Sequence, residues 1–136
     1  MANSRASVID SLTGSFLVST QKMPDPRFEE QVIYICAHNN EGAMGLAVNK
    51  PNSLFTIADV LKGGDIEVPD FELPPVYIGG PVELDSAFIL YNSDYQVEHQ
   101  LEVTSTVSLS RQTKVLEDIA KGMGPEKYLF LLGYTG

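Results

Sequence analysis

Hydrophobic and polar positions alternate along this chain with two different periods. From Val32 to His38 the period is two, so Val32, Tyr34, Cys36 and His38 are expected on one face of a strand and Ile33, Ile35 and Ala37 on the other. Asn39-Asn40-Glu41-Gly42 then reads as a turn, and Ala43 to Asn49 as a second strand. The short connection predicts a hairpin. Ser15 to Ser19 is rich in strand formers, and Met23-Pro24-Asp25-Pro26 interrupts the chain after it, because each proline fixes φ and lacks an N–H. Arg27 to Gln31 is predicted to make one helical turn. Val76–Ile78, Ala87–Tyr91 and Leu101–Val107 read as further strands. Tyr128 to Leu132 is apolar without interruption, the pattern of a strand buried on both faces.

Two segments follow the helical period instead. Thr56 is placed to cap a short helix, with Asp59 three residues on as its capping-box partner and Ile57, Val60 and Leu61 on its apolar side. Gly63-Gly64 ends it. Ser110 is predicted to cap a second helix running to Lys121, with Val115, Leu116, Ile119 and Ala120 as its buried stripe and Gly122 as the residue just past its end. Between the helices, Asp65 to Pro75 holds three prolines and four acidic residues and reads as an exposed loop. Five to seven strands and two helices in mixed order predict an α+β fold rather than a regular βαβ alternation. A length of 136 residues fits one domain, residues 1–136. The chain stops at Gly133-Tyr134-Thr135-Gly136, directly after the buried strand, which reads as a fragment of something longer.

Charge narrows the functional classes. The net charge is −9, and residues 51–102 alone carry ten acidic groups against one basic. Such a surface repels nucleic-acid backbones and anionic lipid, so neither direct nucleic-acid binding nor a membrane role is expected. No apolar run approaches the ~18–20 residues of a membrane span, and Met1 to Asp10 has no apolar core of signal-peptide length. The single cysteine, Cys36, forbids an intrachain disulfide and fits a reducing cytoplasmic compartment.

Candidate chemistry is sparse. Cys36 and His38 share a strand face at a spacing of two, which suits a thiolate activated by an imidazolium, or two zinc ligands. Cysteine is also commonly buried as a small hydrophobe. Only His99 and scattered carboxylates could complete either site, so no metal, cofactor or catalytic set is expected. Gly42-Ala43-Met44-Gly45 and Gly79-Gly80-Pro81-Val82 match neither the dinucleotide nor the phosphate-loop pattern. They suit either a cradle of backbone N–H groups or a tight turn with a close strand crossing. Asn49-Lys50-Pro51 could present polar groups at a strand end or simply turn the chain. Arg111, Lys114, Lys121 and Lys127 are the one basic cluster, without the aromatic interleaving of a single-strand binder or a helix-turn-helix pattern.

Taken in order, Leu12–Val18, Pro24–Phe28, Val32–Asn39, Gly42–Leu46, Val48–Pro51, Gly79–Val82, Phe88–Leu90 and Leu132–Tyr134 resemble the AlgH/YqgE-like family of bacterial proteins across about residues 12–136. The resemblance implies an α+β domain with a mixed, partly barrel-like sheet flanked by helices, in a bacterial cytoplasmic protein. The family is described as transcriptional regulators, and it brings no established catalytic residues. Its motif positions fall here on Cys36, His38, Asn39, Asn49, Pro51, Gly79, Gly80 and Pro81. These are the candidates for a site that takes a small molecule or a protein partner. The rivals are a thiol-dependent enzyme using Cys36 and His38, and a DNA-binding regulator using the basic helix. Two departures stand out. Family members usually continue past the Gly-Tyr segment with a tryptophan, a Gly-Gln-Leu-Glu stretch and a further helix, so this chain is expected to lack that tail. Tyr91 also stands where the family often has histidine.

Overall fold

The computed structural model describes residues 12–18, 31–92 and 94–136. The predicted proline break at 23–26 and residues 27–30 of the predicted turn lie outside them. Within the described residues, nine strands and two helices follow the order β1 (Phe16–Val18), β2 (Val32–Asn39), β3 (Gly42–Ala47), β4 (Pro51–Thr56), α1 (Ile57–Gly63), β5 (Pro75–Ile78), β6 (Val82–Asn92), β7 (Leu101–Glu102), β8 (Val107–Ser110), α2 (Thr113–Ala120) and β9 (Tyr128–Tyr134). This is the expected α+β class.

The strands form two sheets. One has three strands in the order β1-β2-β3, and the other six in the order β4-β5-β9-β6-β8-β7. The uninterrupted apolar run of β9 has its explanation here, because β9 lies inside the larger sheet. It pairs parallel with β5 and antiparallel with β6. Its side chains alternate between two cores. Leu131 joins Phe88, Leu90 and Leu109 against Tyr34, Cys36 and Leu46 of the small sheet. Phe130 joins Ile89 and Tyr91 against Ile57 and Leu61 of α1 and Val115 and Ile119 of α2. The molecule is therefore layered as small sheet, large sheet, helices.

The two sheets meet along one seam. Gly45 and Thr135 exchange both backbone hydrogen bonds, at 2.9 and 2.8 Å, and Ala47 N–H donates to the Gly79 carbonyl at 2.8 Å. The barrel-like closure implied by the resemblance is thus partial, and the described strands do not close into a barrel.

Local chemistry explains most element ends. Thr56 and Asp59 form a reciprocal capping box, each side chain accepting the other's N–H at 3.1 Å. Both helices end in paired backbone bonds. Met123 N–H reaches the Asp118 carbonyl and Gly122 N–H the Ile119 carbonyl; Ile66 and Asp65 reach Leu61 and Lys62 in the same way. The left-handed residue is Gly122 in α2, as the sequence suggests, but Asp65 (φ 58°) in α1.

Several boundaries differ from expectation. Pro51 begins a strand that the residue pattern does not predict, and as the first residue of the edge strand β4 it has no ladder bond to lose. The predicted strand Leu101–Val107 is two short strands, because Thr104 Oγ1 accepts the N–H groups of Thr106 and Val107 and turns the chain. Ser110 does not cap α2. Its Oγ accepts the Gln112 N–H at 3.0 Å, and Gln112 becomes the N-cap, with no side-chain hydrogen bond. The acidic loop is only partly solvated, since Ile66, Val68 and Leu73 pack against the helix-side core.

Candidate functional site

The positions singled out in the sequence fall in three places. Cys36 lies between the two sheets, 1 % exposed. A β-bulge between Ile35 and Ala37 breaks the expected alternation, and Tyr34, Ile35 and Cys36 are buried in succession. The thiol points a weak hydrogen bond at the Tyr34 carbonyl, 3.8 Å away, and burial pushes its pKa up to about 12. An activated nucleophile needs a shift in the opposite direction. His38, half-buried on the same strand, accepts the Leu12 N–H on Nδ1 at 2.8 Å, so its neutral form carries the proton on Nε2. Asn39 sits in the hairpin turn, where its side chain accepts the Glu41 N–H at 2.8 Å.

The remaining candidates gather at the seam, at the opposite end of that hairpin. Asn49 Oδ1 accepts the Val32 N–H at 3.0 Å, and Ile78 N–H donates to the Lys50 carbonyl at 2.9 Å, which lays Asn49–Pro51 beside Gly79 and Gly80. Both glycines are buried and pressed against β9. A Cβ on Gly79 would lie 2.4 Å from the Gly133 carbonyl oxygen, and one on Gly80 would lie 2.2 Å from the Tyr134 backbone. The Gly79 carbonyl accepts from Ala47 N–H and from the Thr135 hydroxyl at 3.0 Å. The N–H and carbonyl of Gly79 are thus both engaged within the fold. Pro51 and Pro81 are exposed beside it.

The feature with the composition of a binding site lies next to this seam. A groove of about 480 Å³ has a floor of Met44, Phe88, Leu101 and Leu109. Glu83, His99, Arg111, Gln112 and Tyr134 form its polar rim. The volume is within the usual range for small-molecule sites. Arg111 is held in place. Its guanidinium carbon lies 5.0 Å from the Phe88 ring centroid, and its Nη2 donates to Ser86 Oγ at 3.2 Å. Glu83 Oε1 lies 3.9 Å from the same nitrogen, beyond a hydrogen bond, and accepts from Ser86 Oγ at 3.2 Å. Tyr134, edge-on to Phe88, donates to Glu83 Oε2 at 3.3 Å. Glu83 and His99 both have left-handed backbones, φ 51° and 65°. Such strain costs about 1–3 kcal/mol per residue and clusters at functional sites.

The residue pattern does not bring this groove together: Met44, Phe88, Leu101, Arg111 and Tyr134 each stand in a different segment of the sequence. The four basic residues do not share one face. Arg111 lines the groove, Lys114 pairs with Asp118 at 3.0 Å, Lys121 borders the 64–71 loop, and Lys127 lies near Leu90 and Tyr128. Among the described residues, no group of three or more His, Cys, Asp and Glu could hold a metal ion. Among them too, no helix is long and apolar enough to cross a membrane.

Fold and groove together define a layered α+β domain with an apolar-floored, polar-rimmed depression beside a glycine seam. The chain belongs to the AlgH-like family, whose model matches residues 16–136. It is 49 % identical over 127 residues to a UPF0301 protein of Desulfotalea psychrophila, covering 93 % of this chain and 67 % of that one. Over 129 residues it is 44 % identical to a UPF0301 protein of a Marinomonas strain, covering 93 % and 68 %. The solution structure of the AlgH protein from Pseudomonas aeruginosa superposes with a TM-score of 0.74 at 36 % identity, over 99 % of this chain and 70 % of that one. A crystal structure of a Corynebacterium diphtheriae protein shares the fold at 20 % identity, with a TM-score of 0.67. The chain thus spans about two thirds of the length of these relatives.

Proposed function

We propose that this AlgH-like chain is a small-molecule-binding domain, a regulatory component rather than a catalyst, and that the groove beside the seam is where the ligand sits. The observation that carries this reading is the Arg111 guanidinium, fixed on Phe88 and Ser86 at the rim of an apolar floor. An anchored charge beside an apolar surface suits a ligand with one polar end. The thiol-enzyme reading is weakened by the burial and raised pKa of Cys36. The DNA-binding reading is weakened by the dispersal of the basic residues and by the net charge of −9. A cytoplasmic location belongs to the same proposal.

The test is a protein-observed NMR screen with small organic acids, alcohols and amines at millimolar concentration. Shifts concentrated on Met44, Phe88, Leu101 and Leu109 are expected. Hits that map elsewhere, or no hits at all, would overturn the groove assignment. Fluorescence anisotropy with duplex DNA at low salt is expected to show no binding. Affinity falling steeply with salt would favour a chain that grips DNA itself.

A further inference from the structure

The groove also has features that select among ligands, and this inference rests on the groove being the binding site. We infer that it takes a monocarboxylate with an apolar body, the carboxylate held by Arg111 and the ligand's charge limited to one by Glu83.

The argument begins with donors. A guanidinium carries five N–H groups in a planar fork. Arg111 uses one on Ser86 and lies over the Phe88 ring, and its other N–H groups make no hydrogen bond among the described residues. Gln112, the next residue, lines the same rim and caps no helix with its side chain. An arginine fork matches the two oxygens of a carboxylate.

Glu83 then sets the charge. Each of its oxygens accepts one hydrogen bond, from Ser86 and from Tyr134, which sets the carboxylate 3.9 Å from Arg111 without a hydrogen bond to the guanidinium. The pair is near neutral in sum. A single negative charge can approach the open side of Arg111, while a second one meets Glu83. The left-handed backbone at Glu83 holds the acid where it does this. The floor supplies the rest. Met44, Leu101 and Leu109 are aliphatic, and Arg111 covers one face of Phe88, so the exposed lining suits a flexible acyl body.

The experiment compares octanoate, 1-octanol and octyl phosphate by NMR titration at pH 7.5, on the wild type and on Arg111→Ala, Arg111→Lys and Glu83→Gln. Octanoate is expected to bind at least about ten-fold more tightly than the other two. Arg111→Ala should remove that advantage over octanol, Arg111→Lys should retain part of it, and Glu83→Gln should narrow the gap between octanoate and octyl phosphate. Dispersed spectra confirm that each variant is folded. If none of the three probes moves the groove resonances, the groove reading itself fails. If octanol or octyl phosphate binds as tightly as octanoate, or Arg111→Ala leaves octanoate affinity unchanged, the groove stands and the carboxylate selection is wrong. If Glu83→Gln leaves the gap as it was, the charge limit is wrong.

Discussion

Gly79 has no room for a side chain. The Gly133 carbonyl oxygen and a methyl of Leu46 occupy the positions next to where its Cβ would stand, at 2.4 and 2.8 Å. The nearer neighbour is backbone, held in the β5–β9–β3 seam, and it cannot rotate away. Gly79→Ala is therefore expected to destabilise the fold by at least about 2 kcal/mol, seen as a lower urea midpoint; a midpoint matching the wild type would mean the seam is looser than its geometry. The sequence carried part of this. Two adjacent glycines before a proline signal a close approach or a turn, but the approaching strand lies more than fifty residues away and leaves no local trace. Cys36 and His38 illustrate the opposite error. Their spacing is correct for one strand face only if the strand is regular, and the bulge at Ile35–Ala37 is invisible in the residue pattern.

Among the elements, those that end by local chemistry were the most legible. The Thr56–Asp59 box and Gly122 could be read because capping depends on residues three or four apart. Leu101–Val107 misled because β-branched threonine favours strands in general, while Thr104 here turns the chain with its hydroxyl. Helix α2 makes a prediction of its own. Burial alone would raise the pKa of Asp118, but the Tyr95 hydroxyl and the ammonium groups of Lys114 and Lys121 outweigh it and hold the carboxyl below its ordinary value. A carboxylate depressed in the folded state stabilises the fold above its unfolded pKa of about 3.9. That contribution is lost as pH falls through the folded value. Unfolding free energy measured from pH 6 down to pH 2 should decline less steeply below about pH 4 in Asp118→Asn than in the wild type. Parallel curves would place the acid sensitivity elsewhere.

At the scale of the whole molecule, the layers explain both what is hidden and why the groove escaped a linear reading. Cys36 sits between the sheets and can reach a reagent only when they part. Iodoacetamide at pH 8 should leave the native protein unlabelled over hours and modify it promptly in denaturant. Labelling of the native chain at a free-thiol rate would show that the sheets separate readily. The groove draws on β3, β6, β7, β8, the start of α2 and β9, so its residues run from Met44 to Tyr134 with no shared spacing. The hydrophobic pattern could identify an α+β domain, but only the packing of its layers brings Arg111, Glu83 and Tyr134 together. The position of β9 has a consequence for biosynthesis. It is the last of these strands to be translated, yet it lies between β5 and β6 in the large sheet. Until residues 128–134 are available, β5 and β6 lack the strand that joins them, and each would present an open edge wherever its other pairings formed first. Those edges are the surfaces on which chains stick to one another. Closing the large sheet therefore waits on its last strand, and the edges of β5 and β6 are where association during synthesis would begin.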